Sequence, residues 1–301
     1  MKFLVIGSLN IDFVYRLDHI VQPGETAIAA ARTIHPGGKG ANQAAALARA
    51  NTEVTMAGKI GGDGRFLLEE LTNCGADTSL ITIDRNDVTG HGIIQIAADG
   101  ENAICIYPGT NHCLTTDDIE RALAQFERGD ILVMQNETNL TAAIMEAAHA
   151  RGLTIAYNPA PFTAETLELP LELANILILN QIEIAGLTAL SADTDADTLL
   201  DAARKRLPNA VIVLTLGSAG AVCDDGTRRV FQAAFPVHPV DTTGAGDTFI
   251  GFFLAKWSRK ATAAQALETA CAASALAVSS LGAMNSIPSL DAVMEFLAQH
   301  R

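Results

Sequence analysis

The chain has 301 residues, of which 49% are hydrophobic and 18% are charged. This balance excludes a disordered or fibrous protein, and the length allows one large domain or two. The 34 acidic and 20 basic residues give a net charge of -14. Such a surface repels phosphate backbones and anionic lipid, so we expect neither nucleic acid nor a membrane as a partner. Any anionic ligand must be bound locally, by backbone N–H groups or by a metal.

Cysteine usage and hydropathy indicate the compartment. The five cysteines are an odd number, and none forms a CxxC pair, which argues against a disulfide framework or a zinc site. The N-terminal stretch MKFLVIGSLN reaches polar residues too soon for a signal peptide, and no apolar run is long enough to span a bilayer. We therefore expect a cytoplasmic protein.

Apolar runs alternate with helix-forming stretches along most of the chain. The β-branched runs predict strands over residues 3–7, 54–58, 131–134, 154–157, 176–179 and 211–216. The stretches rich in Ala, Leu and Glu predict helices over residues 42–50, 66–74, 116–128, 140–150 and 198–207, followed by 247–258 and 262–280. This alternation predicts an α/β fold with a mainly parallel sheet covered on both faces.

Two segments interrupt this alternation. Residues 13–36 read as extended, with a turn at Pro23-Gly24, and residues 91–108 read as two strands joined by the turn-rich residues 98–102. They predict a small antiparallel flap beside the main sheet. An ordinary extension of the sheet edge is the alternative.

The segment from Asp241 to Phe249, DTTGAGDTF, follows a predicted strand over residues 235–240 and opens an apolar helix. Its glycines allow a tight bend that exposes backbone N–H groups at the positive end of the helix dipole, which suits an anion. Asp247 falls in the first helical turn and could accept a proton from a hydroxyl beside that anion. The alternative is that Asp247 only caps the helix.

Residues 36–44, PGGKGANQA, form a glycine-rich turn that enters an alanine-rich helix. The GxxxxGK[ST] spacing of a Walker A loop is absent. The glycines permit close approach of a small ligand, and Lys39 and Asn42 can hydrogen-bond hydroxyls or oxyanions. A plain turn with a solvated lysine is the alternative.

Residues 7–12, GSLNID, are predicted to lie at the end of the first strand, and polar residues alternate along them. Ser8, Asn10 and Asp12 are spaced by two, so a strand places them on one side. The Asn–Asp pair suits a vicinal diol, and open α/β sheets bind ligands at the carboxyl ends of their strands. Turn capping by Asn and Asp is the alternative.

Two weaker patterns follow later strands. Asn180 and Glu183 are three residues apart at the start of a helix, which suits a hydrated Mg²⁺ ion or, alternatively, a helix cap. The glycine-rich strand exit TLGSAG, residues 215–220, could line a nucleotide or could be only a turn.

Taken together, these segments resemble the ribokinase, or PfkB, family of carbohydrate kinases over essentially the whole chain. The resemblance is carried by GSLNID, PGGKGANQA, Gln135-Asn136-Glu137, NQIE, TLGSAG, DTTGAGDTF, and the late Gly282-Ala283 and Ser286-Ile287-Pro288. It implies a doubly wound α/β catalytic domain of residues 1–12, 37–90 and 109–301, with a β-sheet lid of residues 13–36 and 91–108. The implied activity is transfer of the ATP γ-phosphoryl group to the 5-hydroxyl of D-ribose.

The resemblance also assigns roles. Asp247 matches the general base, and the anion hole matches Gly244, Ala245 and Gly246. The matched sugar contacts are Asn10, Asp12, Gly38, Lys39, Asn42 and Glu137. The matched nucleotide contacts are Asn180, Thr215, Gly217 and Ser218, and Glu183 matches the motif for Mg²⁺. A K⁺ site beside the anion hole would use Asp241, Thr243, Ala277, Ser280, Gly282 and Ser286.

The sequence departs from the family pattern in two places. Many members have Ala-Ala-Gly where this chain has Gly244-Ala245-Gly246, and its late loop lacks the usual basic residues. These departures concern the nucleotide and the cation more than the reaction. Two alternatives stay open, a kinase for another sugar or nucleoside and a non-catalytic sugar sensor.

The resemblance also implies a homodimer paired through the lid. The apolar lid strands HGIIQIA and AICIY would need such cover on an exposed flap.

Overall fold

The computed structural model describes residues 1–300. Within them the strands are β1 (Phe3–Ile6), β2 (Asn10–Arg16), β3 (Ala31–Gly37), β4 (Val54–Ile60), β5 (Asp77–Ile83), β6 (Gly90–Ile96), β7 (Asn102–Tyr107), β8 (Ile131–Met134), β9 (Thr154–Tyr157), β10 (Ile176–Asn180), β11 (Val211–Thr215), β12 (Ala221–Asp224) and β13 (Arg229–Gln232).

The α-helices of the same residues are α1 (Lys39–Arg49), α2 (Phe66–Cys74), α3 (Thr116–Leu123), α4 (Thr141–Arg151), α5 (Gln181–Thr188), α6 (Ala196–Arg206), α7 (Ala245–Ser258), α8 (Ala263–Val278) and α9 (Leu290–Gln299). Short 3₁₀ turns join several of these elements. None of the helices in residues 1–300 has the length and apolar character that a membrane crossing requires.

Nine strands form the main sheet, in the order β13-β12-β11-β10-β9-β8-β1-β4-β5. The strands from β11 to β5 pair in parallel, and β12 and β13 add an antiparallel edge. The chain leaves β1 toward β4 on one side and reaches β8 on the other, so the order of the strands reverses at β1. The predicted α/β fold with a mainly parallel sheet is confirmed, and the sheet is doubly wound.

Both faces of the sheet are covered. Along β1, Phe3 and Val5 join one buried cluster, which includes residues of α1, α7 and α8, whereas Leu4 and Ile6 join a second cluster with residues of α4 and α6. Because successive side chains point to opposite faces, a strand that is apolar at every position must be buried on both. This explains why these strands could be located from composition alone.

A separate four-stranded sheet lies beside the main one, in the order β3-β2-β6-β7. Its outer pairs are antiparallel, but the central strands β2 and β6 run parallel, with Asn10 opposite Gly90. The prediction of an antiparallel flap is therefore wrong for its centre. Asn10 and Gly90 are the first residues of their strands and lie opposite each other, so both central strands start at the same end of this sheet and run in the same direction.

Three other local predictions are wrong. Asn10 and Asp12 do not end the first strand, since β1 stops at Ile6 and these two residues open the lid strand β2. Residues 235–240 form no strand, because Pro236 and Pro239 remove two backbone donors. Helix α3 stops at Leu123, five residues before the predicted end at residue 128. The chain there changes to a tighter turn, in which the Phe126 N–H donates to the Leu123 carbonyl at 3.1 Å.

Helices α1 and α7 pack closely, and this contact positions the site. A Cβ on Gly251 of α7 would lie 2.9 Å from both the Ala46 carbonyl carbon and the Leu47 nitrogen of α1. Only a residue without a side chain lets the two backbones approach so closely. The first turns of both helices are thereby brought to the carboxyl edge of the sheet.

Candidate active site

Polar side chains gather where parallel strands of the main sheet end. Ser8 follows β1, Gln135 and Glu137 follow β8, Asn158 follows β9, and Asn180 ends β10. The carboxyl ends of parallel strands lie at one edge of a sheet, and ligands bind there at the point where strand order reverses. The first turns of α1 and α7 close this edge from the side.

Two glycines set the geometry of those first turns. Gly38 precedes α1 with a φ of 91°, and a Cβ there would lie 2.8 Å from the Ser8 carbonyl oxygen. Gly244 precedes α7 with a φ of 73°. Both need the left-handed region that favours glycine. The predicted glycine-rich entries into two helices are confirmed as structure.

The first turn of α7 presents backbone donors. The N–H of Ala245 donates to the Thr242 carbonyl at 3.3 Å, whereas those of Gly244 and Gly246 have no hydrogen-bond acceptor within residues 1–300. The first N–H groups of a helix also lie at the positive end of its dipole. The turn can therefore bind an anionic group, mainly through Gly244 and Gly246.

Asp247 lies in the same turn and is buried. Its Oδ2 accepts from Nδ2 of Asn42 at 3.1 Å, and its Oδ1 accepts from Nε2 of Gln43 at 2.9 Å. Burial raises the pKa of the Asp247 carboxyl group, and the Lys39 charge and the two amide donors oppose the rise. A carboxyl group with a raised pKa beside an anion site is suited to exchange a proton.

Lys39 is the local positive charge of the site. Burial opposes its charged form, but the carboxylates of Asp247, Glu137 and Glu183 together raise the pKa of its ammonium group. Lys39 therefore stays charged while enclosed, in a molecule whose overall charge is strongly negative. The Lys39 ammonium can therefore offset negative charge on a bound ligand.

Asn10 and Asp12 enter from the lid strand β2. Oδ1 of Asn10 accepts from Nδ2 of Asn111 at 2.7 Å, and Oδ1 of Asn111 accepts from the Leu9 N–H at 2.9 Å. Asn111 thus fixes the Asn10 amide with its NH₂ group free to donate. Asn111 was missed, because nothing in the residues around it marks a site.

The carboxyl group of Asp12 lies near that of Glu137. Burial, and then the Glu137 charge, raise the pKa of Asp12 to about 6. Glu137 accepts a short hydrogen bond from the Ser8 hydroxyl and one at 3.2 Å from the Lys39 N–H. These donors fix one carboxylate, so the pair can accept hydrogen bonds from neighbouring hydroxyl groups.

Asn180 and Glu183 form a capping box at the start of α5. The Asn180 side chain accepts from the Ile182 and Glu183 N–H groups at 2.9 Å, and the Glu183 carboxylate accepts from the Asn180 backbone and side chain at 2.9 Å. The alternative interpretation of Asn180 and Glu183 as a helix cap is therefore confirmed. It leaves Glu183 buried, with a pKa that burial raises.

Two adjoining cavities lie along this edge. A cleft of about 240 Å³ is lined by Lys39, Asn180, Glu183, Thr215, Gly244, Gly246 and Asp247, among others. A second cavity of about 560 Å³ shares Asn180, Thr215 and Gly246 with it and also includes Gly217 and Ser218. Its remaining walls are largely apolar, with Phe235, Val237, Phe249 and Val278. The pair offers a polar end and an apolar end for one elongated ligand.

The residues predicted for a K⁺ site come together in part. Oδ1 of Asp241 accepts from the Thr243 N–H and hydroxyl, and its Oδ2 accepts from the Gly282 N–H at 2.9 Å. The carbonyl of Ala277 accepts from the Ser280 N–H at 3.1 Å, and the Ser286 hydroxyl donates to Ala283. Within residues 1–300, no group of three or more His, Cys, Asp and Glu residues is placed to hold a metal.

Three buried amide side chains of the site were also missed, those of Gln43, Gln135 and Asn158. Gln43 lies in the glycine-rich segment that the sequence marks, and Gln135 in a segment that carries the family resemblance. Their amide type gave no separate signal, since buried Asn and Gln also occur as ordinary structural residues.

Comparison with known proteins agrees with this geometry. The sequence model of the family described as pfkB family carbohydrate kinase matches residues 1–290. The chain is 35% identical over 300 residues to a ribokinase of Staphylococcus aureus, covering 97% of this chain and 98% of that one. It is 31% identical over 306 residues to a deoxyribokinase of Salmonella typhi, covering 99% of each.

Solved structures show the same fold. A ribokinase of Cryptococcus neoformans in complex with ADP superposes with a TM-score of 0.84 at 37% identity, covering 98% of this chain and 99% of that one. A ribokinase of Arabidopsis thaliana complexed with ribose and ATP gives a TM-score of 0.87 at 28% identity and covers 98% of both. The resemblance inferred from the motifs is confirmed.

The raised pKa of Asp12 predicts a stability that depends on pH. Since its pKa of about 6 in the folded chain exceeds the ordinary 3.8, the folded state binds more protons between these values, and the free energy of unfolding falls as pH rises through this window. Asp12→Asn should therefore stabilise the unliganded protein at pH 8 by about 2–3 kcal/mol. The gain should shrink at pH 5.

Denaturant unfolding of both proteins at the two pH values measures this gain. Glu120→Gln makes the same kind of change on the exposed face of α3 and should alter the stability little at either pH. An equal gain for Asp12→Asn at pH 5 and pH 8 would contradict the raised pKa.

Proposed function

The chain belongs to the pfkB family of carbohydrate kinases and is a sugar kinase, and we propose that it transfers the γ-phosphoryl group of ATP to the 5-hydroxyl of D-ribose. The products are ribose 5-phosphate and ADP. Support comes from the ribokinase relatives, of which one has been solved with ribose and ATP. The relatives also include deoxyribokinases, so the choice of sugar needs its own argument.

The observation that carries the proposal is the position of Asp247. Its buried carboxylate lines the cleft with Lys39 and Glu183, directly beside the free N–H groups of Gly244 and Gly246. A proton acceptor and an anion-binding turn therefore share one helix end. Phosphoryl transfer to an alcohol needs both within reach of the same atoms.

The proposed mechanism follows from these positions. Contacts from Asn10, Asp12, Asn42 and Glu137, together with Gly38 and Lys39, hold the sugar so that its 5-oxygen lies in line with the γ-phosphorus. Asp247 accepts the 5-hydroxyl proton as the bond from oxygen to phosphorus forms and the bond from phosphorus to the β–γ bridging oxygen breaks. The N–H groups of Gly244, Ala245 and Gly246 and the Lys39 ammonium stabilise the charge on the transferred group.

ATP fits the two joined cavities. The apolar cavity would take the base, with Gly217 and Ser218 at its rim, while Asn180 and Thr215 lie where the two cavities meet. Mg²⁺ usually keeps several waters and binds one or two carboxylates plus phosphates. Glu183, whose carboxylate is fixed by Asn180, fits such a hydrated ion. When bound, Mg²⁺ would neutralise charge on the phosphates.

The lid would exclude water from the reaction. We propose that residues 13–36 and 91–108 move as a lid against a catalytic domain of residues 1–12, 37–90 and 109–301. Asp12 is the last residue of the first catalytic segment and lies on β2, which continues into the lid, so lid closure and sugar binding are coupled through it. Exclusion matters because water could otherwise accept the phosphoryl group.

Asp247→Asn tests the base. The amide keeps the shape of the side chain but cannot accept the proton, so kcat should fall by about 10²–10⁴-fold. Ribose affinity should change much less than kcat, since the amide oxygen of the variant can still accept from Asn42, the one proposed sugar contact that is bonded to Asp247. A coupled assay of ADP release and calorimetric ribose titration measure the two quantities, and near-normal turnover in this variant would refute the assignment.

The same assay across D-ribose, 2-deoxyribose, fructose and nucleosides tests the substrate. The Asn10 amide and the Asp12 carboxylate suit a vicinal diol, and a missing hydroxyl leaves one of them unpaired. Ribose should therefore exceed 2-deoxyribose in kcat/KM by about 10–100-fold. The reverse order would assign a different sugar kinase. Ribose-dependent thermal stabilisation without ADP release would indicate a non-catalytic sensor.

We also propose that K⁺ binds beside the anion hole. The ligands would be oxygens of Asp241, Thr243, Ala277, Ser280, Gly282 and Ser286. Asp241 links this late loop to the α7 turn through the Gly282 N–H, so an ion there would stabilise the turn. Turnover should be higher in K⁺ than in Na⁺ or a large organic cation, and equal rates in all three would contradict this site.

A homodimer paired through the lid is proposed from its exposed apolar surface. Ile104 and Ile106, each 56% exposed, lie on the lid face that also carries Asp12, since Ile106 pairs with Gly92 and Gly92 with Asp12. Burying this face against a second copy would remove apolar area from water. Free cysteines and the use of ATP support a cytoplasmic location.

Light scattering should give twice the chain mass of 31.6 kDa for the wild type. Ile106→Glu should shift the protein toward the monomer, because a carboxylate would be buried in the pairing. The matched change Leu190→Glu, at an exposed residue outside the lid, should leave the mass unchanged. A monomeric wild type would exclude this dimer.

A further inference from the structure

Three buried amide side chains form a hydrogen-bonded group with Asp247 and are not among the proposed sugar and nucleotide contacts, although Asn158 also lines the polar cleft. Gln43 belongs to α1, Gln135 directly follows β8, and Asn158 directly follows β9. Gln43 donates to Oδ1 of Asp247 at 2.9 Å and to Oδ1 of Asn158 at 3.3 Å. Its own Oε1 accepts from Nε2 of Gln135 at 2.7 Å. Gln43 therefore connects the candidate base to both neighbouring amides.

The directions of these hydrogen bonds fix the Gln43 amide in one orientation. Nδ2 of Asn158 donates to the Ile178 carbonyl at 2.9 Å, which turns its Oδ1 toward Gln43. A flipped Gln43 amide would set its oxygen against Asp247 and Asn158, and its NH₂ group against Gln135. Each of the three contacts would then become repulsive, so the NH₂ group stays directed at the Asp247 carboxylate.

Gln135 is held in place despite an unfavourable feature. It is 1% exposed, and its Oε1 has no hydrogen-bond partner within residues 1–300. A Cβ on Gly7 would clash with that oxygen, so the absence of a side chain at Gly7 leaves room for the whole Gln135 amide. A buried unpaired acceptor destabilises a fold, and a methionine of similar length would avoid it. The contribution of this side chain is therefore its donor, directed at Gln43.

We propose that Gln43 and Gln135 are positioning residues for the phosphoryl transfer. Gln135 orients the Gln43 amide, and Gln43 holds Oδ1 of Asp247 while Asn42 donates to Oδ2. The two amides stop the carboxylate from rotating, and Oδ2 keeps a second lone pair for the acceptor hydroxyl. The inference rests on the proposed function, because it takes Asp247 as the base. Neither glutamine touches the reacting atoms, so both should act on kcat and hardly on the affinity for the sugar.

Two substitutions at Gln43 separate positioning from packing. Gln43→Met keeps the length and removes the donor, so kcat should fall by about 10–100-fold while KM and Kd for ribose change less than about threefold. Gln43→Glu keeps the shape and the acceptor for Gln135, but sets a carboxylate against Asp247. It should lose more kcat than Gln43→Met. A packing role predicts the opposite order, and that result would overturn the proposal.

A double-mutant cycle tests whether Gln135 acts through Gln43. Gln135→Met should lower kcat in the wild-type background and have no further effect in the Gln43→Met background. Equal losses in both backgrounds would show that Gln135 acts independently and would contradict the relay. Gln125→Met, at an exposed residue in the turn after α3, is the matched control and should leave kcat unchanged.

Thermal unfolding and ribose titration of every variant separate a folding defect from a catalytic one. If Gln43→Met fails to fold, Gln135→Met alone still tests the proposal, since it should lower kcat with little change in ribose affinity, and an unchanged kcat would overturn it. Failure of the proposed function looks different, since the wild type would release no ADP with any sugar. A wild type active with ribose, an inactive Asp247→Asn and fully active glutamine variants would overturn this inference alone.

Discussion

A negative charge buried at the start of a helix is the constraint on which the site depends. Taking a carboxylate out of water is unfavourable unless donors and positive charge replace the lost hydration. Asp247 receives two amide donors from α1, the field of the Lys39 ammonium, and the positive end of α7. These groups meet because α1 and α7 touch at Gly251 and Ala46. The closest packing contact between the two helices therefore also positions the base.

The same edge of the sheet concentrates more negative charge than the fold needs, since only Glu183 among these carboxylates caps a helix. Glu137, Glu183 and Asp247 surround one lysine, and Asp12 lies near Glu137 with a raised pKa. A hydrophobic edge would be more stable, so this arrangement exchanges stability for function. The Lys39 ammonium and the backbone donors of the α7 turn explain how a chain with a net charge of -14 can bind a polyanion. The positive groups are few, buried and directed at one cleft.

Sequence reasoning succeeded where one physical signal dominates. The strands 131–134 and 154–157 were predicted to the residue because burial on both faces makes them continuously apolar. The edge strands β5 and β13 and the last helix, α9, were missed, because half-exposed elements lack that signal. Strand β12 is buried but was also missed, because its apolar run is only three residues long before Asp224. The parallel pairing in the lid depends on where the chain leaves the main sheet, which composition does not report. In the site, the glycines and carboxylates could be identified from their motifs. The hydrogen bonds that join Asn42, Gln43 and Gln135 to each other and to Asp247 could not, because they connect residues 92 to 205 positions apart.

Proton transfer to Asp247 requires its carboxylate to lie within hydrogen-bond reach of the acceptor hydroxyl. A crystal structure with D-ribose and a non-hydrolysable ATP analogue measures this distance. We predict a carboxylate oxygen of Asp247 within about 2.6–3.2 Å of the sugar 5-oxygen, with that oxygen in line with the γ-phosphorus. A ribose bound with its 5-oxygen beyond hydrogen-bond reach of Asp247, next to some other acceptor, would contradict the central claim.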